Sequence, residues 1–233
     1  MIRIFRHVEC EGPGYFGELL KCDKHDYEVI KVDAGEPVPA SLEGVSGLVF
    51  LGGPMSVNDP LAWIEDELAL IRRAQQADIG VLGFCLGSQL ISKALGGEVS
   101  RGEAGQEIGW HPVMRSESEL ADEWLGVLPD HFTAFHWHGE TFTLPATATR
   151  ILSSAAYANQ GFVMGKTLGL QCHPEVTAEM AHEWSRLYTA DLHQGGQWNQ
   201  SAEEINRDID SKAMALQPVA DRLLGHWLAK LDE

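Results

Sequence analysis

The chain has 233 residues, of which 44% are hydrophobic and 22% charged, a composition typical of a globular protein with a full core. Seventeen basic residues against thirty-four acidic ones give a formal net charge of −17, which disfavours binding to nucleic acid and to anionic lipid surfaces. No apolar run approaches the ~20 residues that a membrane-spanning helix needs, so we expect neither a nucleic-acid nor a membrane partner.

The start of the chain and its cysteines indicate the compartment. Met1–Phe5 predicts a strand at once, and no signal peptide is evident. The four cysteines, Cys10, Cys22, Cys85 and Cys172, form neither a CxxC pair nor a metal-finger spacing. In a chain without an export signal we interpret them as reduced thiols, and we expect a cytoplasmic protein without a metal site.

Up to residue 96, short apolar runs alternate with helical patterns, which predicts βα units around a mainly parallel sheet. The predicted strands of this half are Met1–Phe5, Tyr27–Val32, Gly47–Leu51 and Ile79–Leu82. Asp59 followed by Pro60 is typical of a helix N-cap and first turn, and the spacing behind it predicts an amphipathic helix over Leu61–Ala77. A second helix is predicted over Leu86–Leu95.

Between Gly97 and about Gln171 the pattern changes to short β-like segments, which predicts a β-rich insertion. These segments are Glu107–Met114, His131–Trp137, Arg150–Ala156, Gly161–Met164 and Thr167–Gln171. A helix is predicted after Thr177, and it ends the main domain, residues 1–192.

Residues 193–233 form a predicted linker and C-terminal helical extension. The polar segment His193–Gln200 is typical of a linker, and Ser201–Glu204 has the pattern of a capping box. Pro218 is expected to break or kink the helical tail. The tail's apolar face could dock a partner or build a homodimer, but we expect it to pack on the core.

Cys85 is the first candidate for chemistry. It lies between Gly83 and Gly87, directly after a predicted buried strand and directly before a predicted helix. This is the pattern of a nucleophile elbow, and the helix N-terminus favours the thiolate. A buried structural cysteine in a glycine-flanked turn remains the alternative on these residues alone.

His173 and Glu175 are the second candidate, within the segment Gln171-Cys172-His173-Pro174-Glu175. In extended backbone, residues two apart point to the same side, so the carboxylate can orient the imidazole and stabilise its charged form. Taken alone, His173 would be interpreted as a hydrogen-bonded core histidine. Its pairing with Glu175 and an upstream elbow cysteine favours catalysis.

The turn Gly52-Gly53-Pro54 after the third strand is the third candidate. A thioester-forming reaction passes through an oxyanion that needs two preorganised N–H donors. The elbow offers the N–H of Leu86, and the turn could offer that of Gly53. An ordinary strand-ending turn is the alternative here.

These three motifs, in this order, resemble those of the class I (triad-type) glutamine amidotransferases, most closely the glutaminase domain of GMP synthetase and its stand-alone relatives. The similarity covers residues 1–192. It implies an α/β, flavodoxin-like fold with a mainly parallel central sheet flanked by helices, a β-rich insertion and a C-terminal helical extension. It also implies a Cys85–His173–Glu175 triad with Gly53 and Leu86 as oxyanion donors.

The resemblance further implies a set of substrate-binding residues. Gln89 matches the glutamine of the elbow motif, which helps to hold the amino-acid end of the substrate. His138, Gly139 and Glu140 match a His-Gly-Asp segment that lines the glutamine pocket. Glu140 stands where that pattern has Asp, which leaves its role open.

The expected activity is hydrolysis of the γ-amide of glutamine, or of a γ-glutamyl amide, through a Cys85 thioester, with no metal or organic cofactor. Either a separate synthetase subunit receives the ammonia, or the enzyme is a stand-alone γ-glutamyl peptidase or hydrolase. The sequence leaves the oligomeric state open.

Two alternatives come from other classes. A non-catalytic regulatory or binding protein could keep the same fold, although every triad position is filled. In a cysteine-dependent α/β-hydrolase for esters or lactones, the acid precedes the histidine at a distance, whereas Glu175 follows His173 by two positions.

Overall fold

The computed structural model describes residues 1–233. Its strands are β1 (Ile2–Arg6), β2 (Tyr27–Lys31), β3 (Gly47–Phe50), β4 (Gly80–Phe84), β5 (Val99–Arg101), β6 (Glu107–Arg115), β7 (His131–His138), β8 (Glu140–Phe142), β9 (Thr149–Ser154), β10 (Gly161–Met164) and β11 (Thr167–Leu170). Its α-helices are α1 (Gly14–Cys22), α2 (Ala62–Gln76), α3 (Leu86–Ala94), α4 (Glu119–Leu125), α5 (Ala178–Leu187), α6 (Thr189–Gln194), α7 (Ala202–Asn206) and α8 (Ile209–Lys230).

One nine-stranded sheet organises the molecule, in the order β2-β1-β3-β4-β11-β10-β9-β6-β7. The pairs from β2 to β11 are parallel, and those from β11 to β7 are antiparallel. Strands β5 and β8 form a separate two-stranded sheet. The predicted mixed α/β class with a mainly parallel central sheet is confirmed, and most of the β-rich region extends that sheet.

The central strands are buried on both faces, which explains their continuous apolar sequence. Successive residues point to opposite faces: Val49 packs in the core cluster of one side and Phe50 in that of the other. Helices α2 and α3 cover the Phe50 side, whereas α1, α5 and α8 cover the Val49 side. The carboxyl ends of the parallel strands therefore open at one edge between these two layers.

The C-terminal helix α8 is part of the larger core cluster. Trp227 is fully buried, packs edge-on against Phe16 at 6.0 Å, and donates from its indole nitrogen to the Lys166 carbonyl at 3.1 Å. The predicted capping box at Ser201 and Glu204 is present before α7. The division of the chain at residue 192 stays a prediction.

Some local predictions were wrong. Asp59 does not cap α2, because its carboxylate accepts from the Ser56 N–H and the helix begins after Leu61. Pro218 does not break the tail helix, since α8 runs through it, whereas the alternative of a kink at this position stays a prediction. Pro218 lies on the exposed side of α8, where water can satisfy the carbonyl that loses its N–H partner. Helices α1 and α4 were not predicted. None of the helices combines the length and the apolar character needed to cross a bilayer.

The close crossing of α3 over β3 and β4 depends on glycine. A Cβ added at Gly87 would overlap the Phe50 carbonyl, and one added at Gly83 would overlap the Gly87 backbone. These overlaps are with backbone, which cannot move aside as a flexible side chain can. The glycines on either side of Cys85 are therefore steric requirements of the fold.

Gly87→Ala tests this requirement. We expect the free energy of unfolding to fall by at least about 2 kcal/mol, because helix and strand must separate. Gly225→Ala in α8 is the matched control, because apart from the neighbouring residues and backbone of its own helix no atom lies within 4 Å of the added Cβ. It should raise stability by about 0.5–1 kcal/mol. Urea unfolding measures both, and equal effects of the two substitutions would contradict the crossing argument.

Candidate active site

Cys85 lies at the turn between β4 and α3 in a strained backbone conformation. Its φ is 46° and its ψ −105°, a left-handed region that a residue with a Cβ rarely adopts. The turn is fixed by the sheet, because the Cys85 N–H donates to the Leu170 carbonyl at 2.7 Å. The side chain is buried, and its thiol donates to the Trp137 carbonyl at 3.6 Å. The predicted elbow geometry is thus present.

His173 and Glu175 form a buried pair after β11. Nδ1 of His173 lies 2.7 Å from Oε1 of Glu175, and the imidazole packs edge-on against Trp184 with ring centroids 4.9 Å apart. Nε2 has no hydrogen-bond partner. Burial alone would lower the pKa of His173, but the Glu175 carboxylate and the Cys85 thiol hold it well above 6.5.

Strand register brings these three residues to one place. Phe84 of β4 pairs with Leu170 of the parallel neighbour β11. Cys85 follows Phe84 by one position, and His173 follows Leu170 by three. Both side chains emerge at the carboxyl edge of the sheet, where open α/β sheets bind their ligands. The structure therefore brings together a thiol, an imidazole and a carboxylate from residues that lie up to 90 positions apart in the sequence.

Gly53 and Leu86 contribute two backbone N–H groups that donate to no other group of the chain. The Gly53 turn and the first residue of α3 are in contact, because a Cβ on Gly53 would lie 3.0 Å from a Leu86 methyl group. Gly53 lines the cavity over Cys85, whereas the Leu86 side chain is buried behind it.

A buried ion pair supports the Gly52-Gly53 turn from below. Nδ1 of His7 lies 3.0 Å from the Leu51 carbonyl and 3.3 Å from that of Gly52, and Nε2 lies 3.1 Å from both Glu67 oxygens. Burial lowers the pKa of His7, but the Glu67 carboxylate outweighs it and the net shift is upward. No spacing of His7 in the sequence pointed to this role.

A cavity of about 790 Å³ opens over the thiol. Among the residues predicted for the site, the cavity is lined by Gly53, Cys85, Gln89, His138, Gly139 and Glu140. His173 and Glu175 are fully buried behind it. The Gln89 side-chain amide donates to the Gln171 amide oxygen at 3.1 Å and to the Glu140 carbonyl at 3.4 Å.

A polar cluster beneath β7 fixes His138. Oε2 of Glu107 accepts hydrogen bonds from His138 at 3.1 Å, Ser154 at 3.2 Å and Gln160 at 2.6 Å. Burial opposes ionisation of Glu107, but the hydrogen bond from His138, the electrostatic effect of the His136 and His138 imidazoles and the hydrogen bond from Ser154 lower its pKa to about 2. Burial lowers the pKa of neighbouring His136 to about 3.

The same cluster contains the donor atoms of a candidate metal site. One atom each from Glu107, His136 and His138 lies within 4.8 Å of the others, which suits a divalent ion. The Glu107 oxygen nearest to both rings, Oε2, is already the acceptor of three hydrogen bonds. We therefore interpret the cluster as the structural support of His138.

Glu11 and Tyr188 line the cavity and were missed. The segment Glu9–Gly14 follows the first strand at the ligand-binding edge, and the sequence favours a solvated loop there, with a gate of the pocket as the alternative. In the structure Glu11 is only 7% exposed, and one of its oxygens accepts from the Tyr188 hydroxyl at 3.0 Å. Burial raises the pKa of Glu11. The only feature of the sequence that indicates a place for Glu11 in the site is its position after β1, at the carboxyl edge of the sheet.

Comparison with known proteins identifies relatives of this site and fold. The family model "Glutamine amidotransferase class-I" matches residues 18–185. The glutamine amidotransferase-like protein YfeJ of Salmonella typhimurium is 34% identical over 179 residues, which cover 74% of each chain. Gamma-glutamyl peptidase 5 of Arabidopsis thaliana is 28% identical over 181 residues, 73% of this chain and 71% of its own.

Further matches extend the comparison to GMP synthesis and to a solved structure. One subunit of the glutamine-hydrolysing GMP synthase of Methanococcus maripaludis is 31% identical over 145 residues, 61% of this chain and 70% of its own. The crystal structure of a glutamine amidotransferase from Methylobacillus flagellatus has a TM-score of 0.94 and 38% identity, and the match covers 98% of this chain and 94% of the other.

The buried imidazoles can be tested by nitrogen-15 NMR of the folded protein. His136 should remain neutral at about pH 5, because burial excludes its charge, whereas His173 should keep its proton at about pH 7.5. An unfolded histidine has a pKa of about 6.5, and burial lowers that of folded His136, so His136 reduces the free energy of unfolding as pH falls below that value. The stabilisation from His173 is complete below about 6.5 and is lost as pH rises through its folded pKa.

The urea-unfolded protein is the control, in which both imidazoles should have a pKa of about 6.5. A charged His136 in the folded protein at about pH 5, or a neutral His173 at about pH 7.5, would contradict the assignment of charge to the buried groups.

Proposed function

This chain belongs to the class I glutamine amidotransferases, and on that premise we propose that it hydrolyses γ-glutamyl amide bonds through a thioester on Cys85. The observation that carries the proposal is the position of the thiol at the floor of a cavity, beside the buried His173–Glu175 pair with its separation of 2.7 Å. The family and the named relatives support amide hydrolysis in general.

Before the reaction, the thiol of Cys85 turns from the Trp137 carbonyl towards Nε2 of His173, which has no other partner, and transfers its proton to the imidazole. Acylation begins from this thiolate–imidazolium pair, when the sulfur attacks the γ-carbonyl carbon of the substrate. The hydrogen bond from Nδ1 to Glu175 orients the ring and stabilises its charge. The raised pKa of His173 favours an imidazolium next to the thiolate.

The oxyanion that forms next needs two donors, and we assign them to the N–H groups of Gly53 and Leu86. Both lack an acceptor within the chain, so they can bind the oxyanion without first breaking another bond. The Leu86 N–H also lies at the positive end of α3. The His7–Glu67 pair keeps the Gly53 turn in place.

Collapse of the tetrahedral intermediate breaks the carbon–nitrogen bond, and His173 gives its proton to the leaving nitrogen. A water molecule, deprotonated by His173, then attacks the thioester and releases glutamate and the Cys85 thiol. Gln89, His138, Gly139 and Glu140 are proposed to hold the α-amino and α-carboxyl groups. All four line the same cavity as the thiol.

The leaving group is ammonia if the substrate is glutamine, and an amine if it is a substituted γ-glutamyl amide. The cavity of about 790 Å³ lies within the range for drug-sized ligands, about 300–1,000 Å³, so it has room for a substituted amide as well as for glutamine. A stand-alone γ-glutamyl hydrolase is supported by the similarity to gamma-glutamyl peptidase 5. Delivery of ammonia to a separate synthetase subunit is the second candidate, supported by the similarity to a subunit of a glutamine-hydrolysing GMP synthase.

Cys85→Ala tests the nucleophile. Turnover of glutamine and of γ-glutamyl amides, measured as glutamate release, should fall by at least about a thousandfold, because no other group can form the thioester. Cys22→Ser is the matched control, since Cys22 is an exposed thiol that does not line the cavity, and it should keep wild-type turnover.

Thermal unfolding of both variants checks that each is folded. A folded Cys85→Ala variant with wild-type turnover would eliminate Cys85 as the nucleophile. A wild-type protein that hydrolyses none of the γ-glutamyl amides would favour the non-catalytic alternative.

A further inference from the structure

The two walls of the cavity differ in chemistry. One wall contains Gln89 and Glu140, which hydrogen-bond to each other and which the proposed function assigns to the amino-acid end of the substrate. The other contains Glu11, Tyr188 and Asp191, which are connected through the hydrogen bonds and ring contacts of Tyr188 and Trp137. Since the two ends of a γ-glutamyl amide extend in opposite directions from the carbonyl that Cys85 attacks, the second wall is available to the leaving amine when the first holds the amino-acid end.

Trp137 connects the leaving-group wall to the thiol. Its carbonyl accepts from Cys85, its indole nitrogen donates to Asp191 at 3.0 Å, and its ring lies 5.7 Å from that of Tyr188. The wall is therefore built from groups fixed by hydrogen bonds and aromatic packing. A ligand that binds there meets carboxylates whose positions are already set.

The carboxylate of Glu11 has one oxygen engaged and one open. Oε1 accepts from Tyr188, whereas Oε2 accepts no hydrogen bond from the chain and lies against Gly52, where a Cβ would overlap it. The same Cβ position is 3.1 Å from Cε1 of His173, so Oε2 lies beside the catalytic imidazole. Because Glu11 lines the cavity, Oε2 is free to accept a hydrogen bond from a polar or charged ligand there.

The charge of the lining favours a cation. Glu11, Asp59, Glu140 and Asp191 contribute four carboxylates, against Arg101 as the only lysine or arginine. An anionic leaving group, such as the free carboxyl end of a peptide, would be repelled by Glu11 and Asp191. The second oxygen of Asp191 faces only the Gln194 amide, at 3.4 Å.

We propose that Glu11, Tyr188 and Asp191 form a subsite for a positively charged leaving amine, and that the substrates are γ-glutamyl amides of diamines or polyamines. This inference rests on the proposed function. The amide nitrogen leaves with the proton from His173 when its bond to the γ-carbon breaks. The amine's distal ammonium group is held by the carboxylates, and water completes hydrolysis of the Cys85 thioester.

A charge series of substrates with one chain length tests the subsite. The probes are the γ-glutamyl amides of 1,4-diaminobutane, n-butylamine and 4-aminobutyrate, whose distal ends are positive, neutral and negative, with glutamine as reference. We expect kcat/KM for the cationic amide to exceed that for the neutral amide by at least about tenfold, because charged hydrogen bonds are the stronger class. The anionic amide should be the poorest substrate.

Glu11→Gln and Asp191→Asn should each reduce the ratio of cationic to neutral kcat/KM by about threefold or more. The ratio is the readout, because Glu11 is close enough to His173 to change turnover of every substrate. Glu9→Gln removes the same charge from an exposed position of the same loop and should leave the ratio unchanged. Affinity of the folded Cys85→Ala variant for the three amides, measured by calorimetry, gives a readout that does not depend on turnover.

Hydrolysis of glutamine and of the neutral amide without preference for the cationic one would overturn the subsite and leave the proposed function intact. A ratio that is equal in wild type, Glu11→Gln and Asp191→Asn would overturn the assignment to these residues. Absence of any hydrolysis, with no preference in calorimetry, would contradict both proposals.

Discussion

The backbone at Cys85 is the constraint on which the rest of the site depends. A φ of 46° on a residue with a side chain costs on the order of 1–3 kcal/mol, and the surrounding sheet and helix must supply that free energy. Gly83 and Gly87 let β4 and α3 approach closely enough, and the hydrogen bond to Leu170 fixes the turn. The strain directs the thiol out of the helix axis and towards the cavity.

Buried charge is the second cost of this architecture, and the two histidines beside the Gly52-Gly53 turn each have a carboxylate partner. His173 is paired with Glu175, and His7 with Glu67. Both histidines lie against the Gly52-Gly53 turn, because a Cβ on Gly52 would lie 3.1 Å from Cε1 of His173 and one on Gly53 would lie 3.1 Å from Cβ of His7. Removing one partner from such a pair is strongly destabilising, by about 3–5 kcal/mol, because it leaves a charge unpaired. The pairs are therefore retained for position: one orients the proposed base, and the other holds the turn that carries an N–H donor.

The sequence predicted those features that depend on local patterns. The sequence predicts the parallel strands, the elbow and the segment with His173 and Glu175. Each of these features is encoded within a few neighbouring positions, by the periodicity of apolar residues, by glycine spacing or by residue type. The burial of Glu11, the hydrogen bonds of the Glu107 carboxylate and the continuous helix through Pro218 were not predicted, because these features depend on distant chain segments. Glu11 accepts a hydrogen bond from Tyr188, which lies between α5 and α6, and the Glu107 carboxylate acquires donors from β7 and β9. The helix through Pro218 is held by its packing on the core.

A thiol on a strained turn, an imidazole and two unpaired N–H groups are proposed to act together on a γ-glutamyl carbonyl. The most direct test is a crystal structure of the protein after reaction with a diazoketone analogue of glutamine. We expect a covalent bond to Sγ of Cys85, with the analogue's carbonyl oxygen about 2.7–3.1 Å from the N–H groups of Gly53 and Leu86. An adduct on another residue, or an oxygen directed away from both groups, would contradict this mechanism.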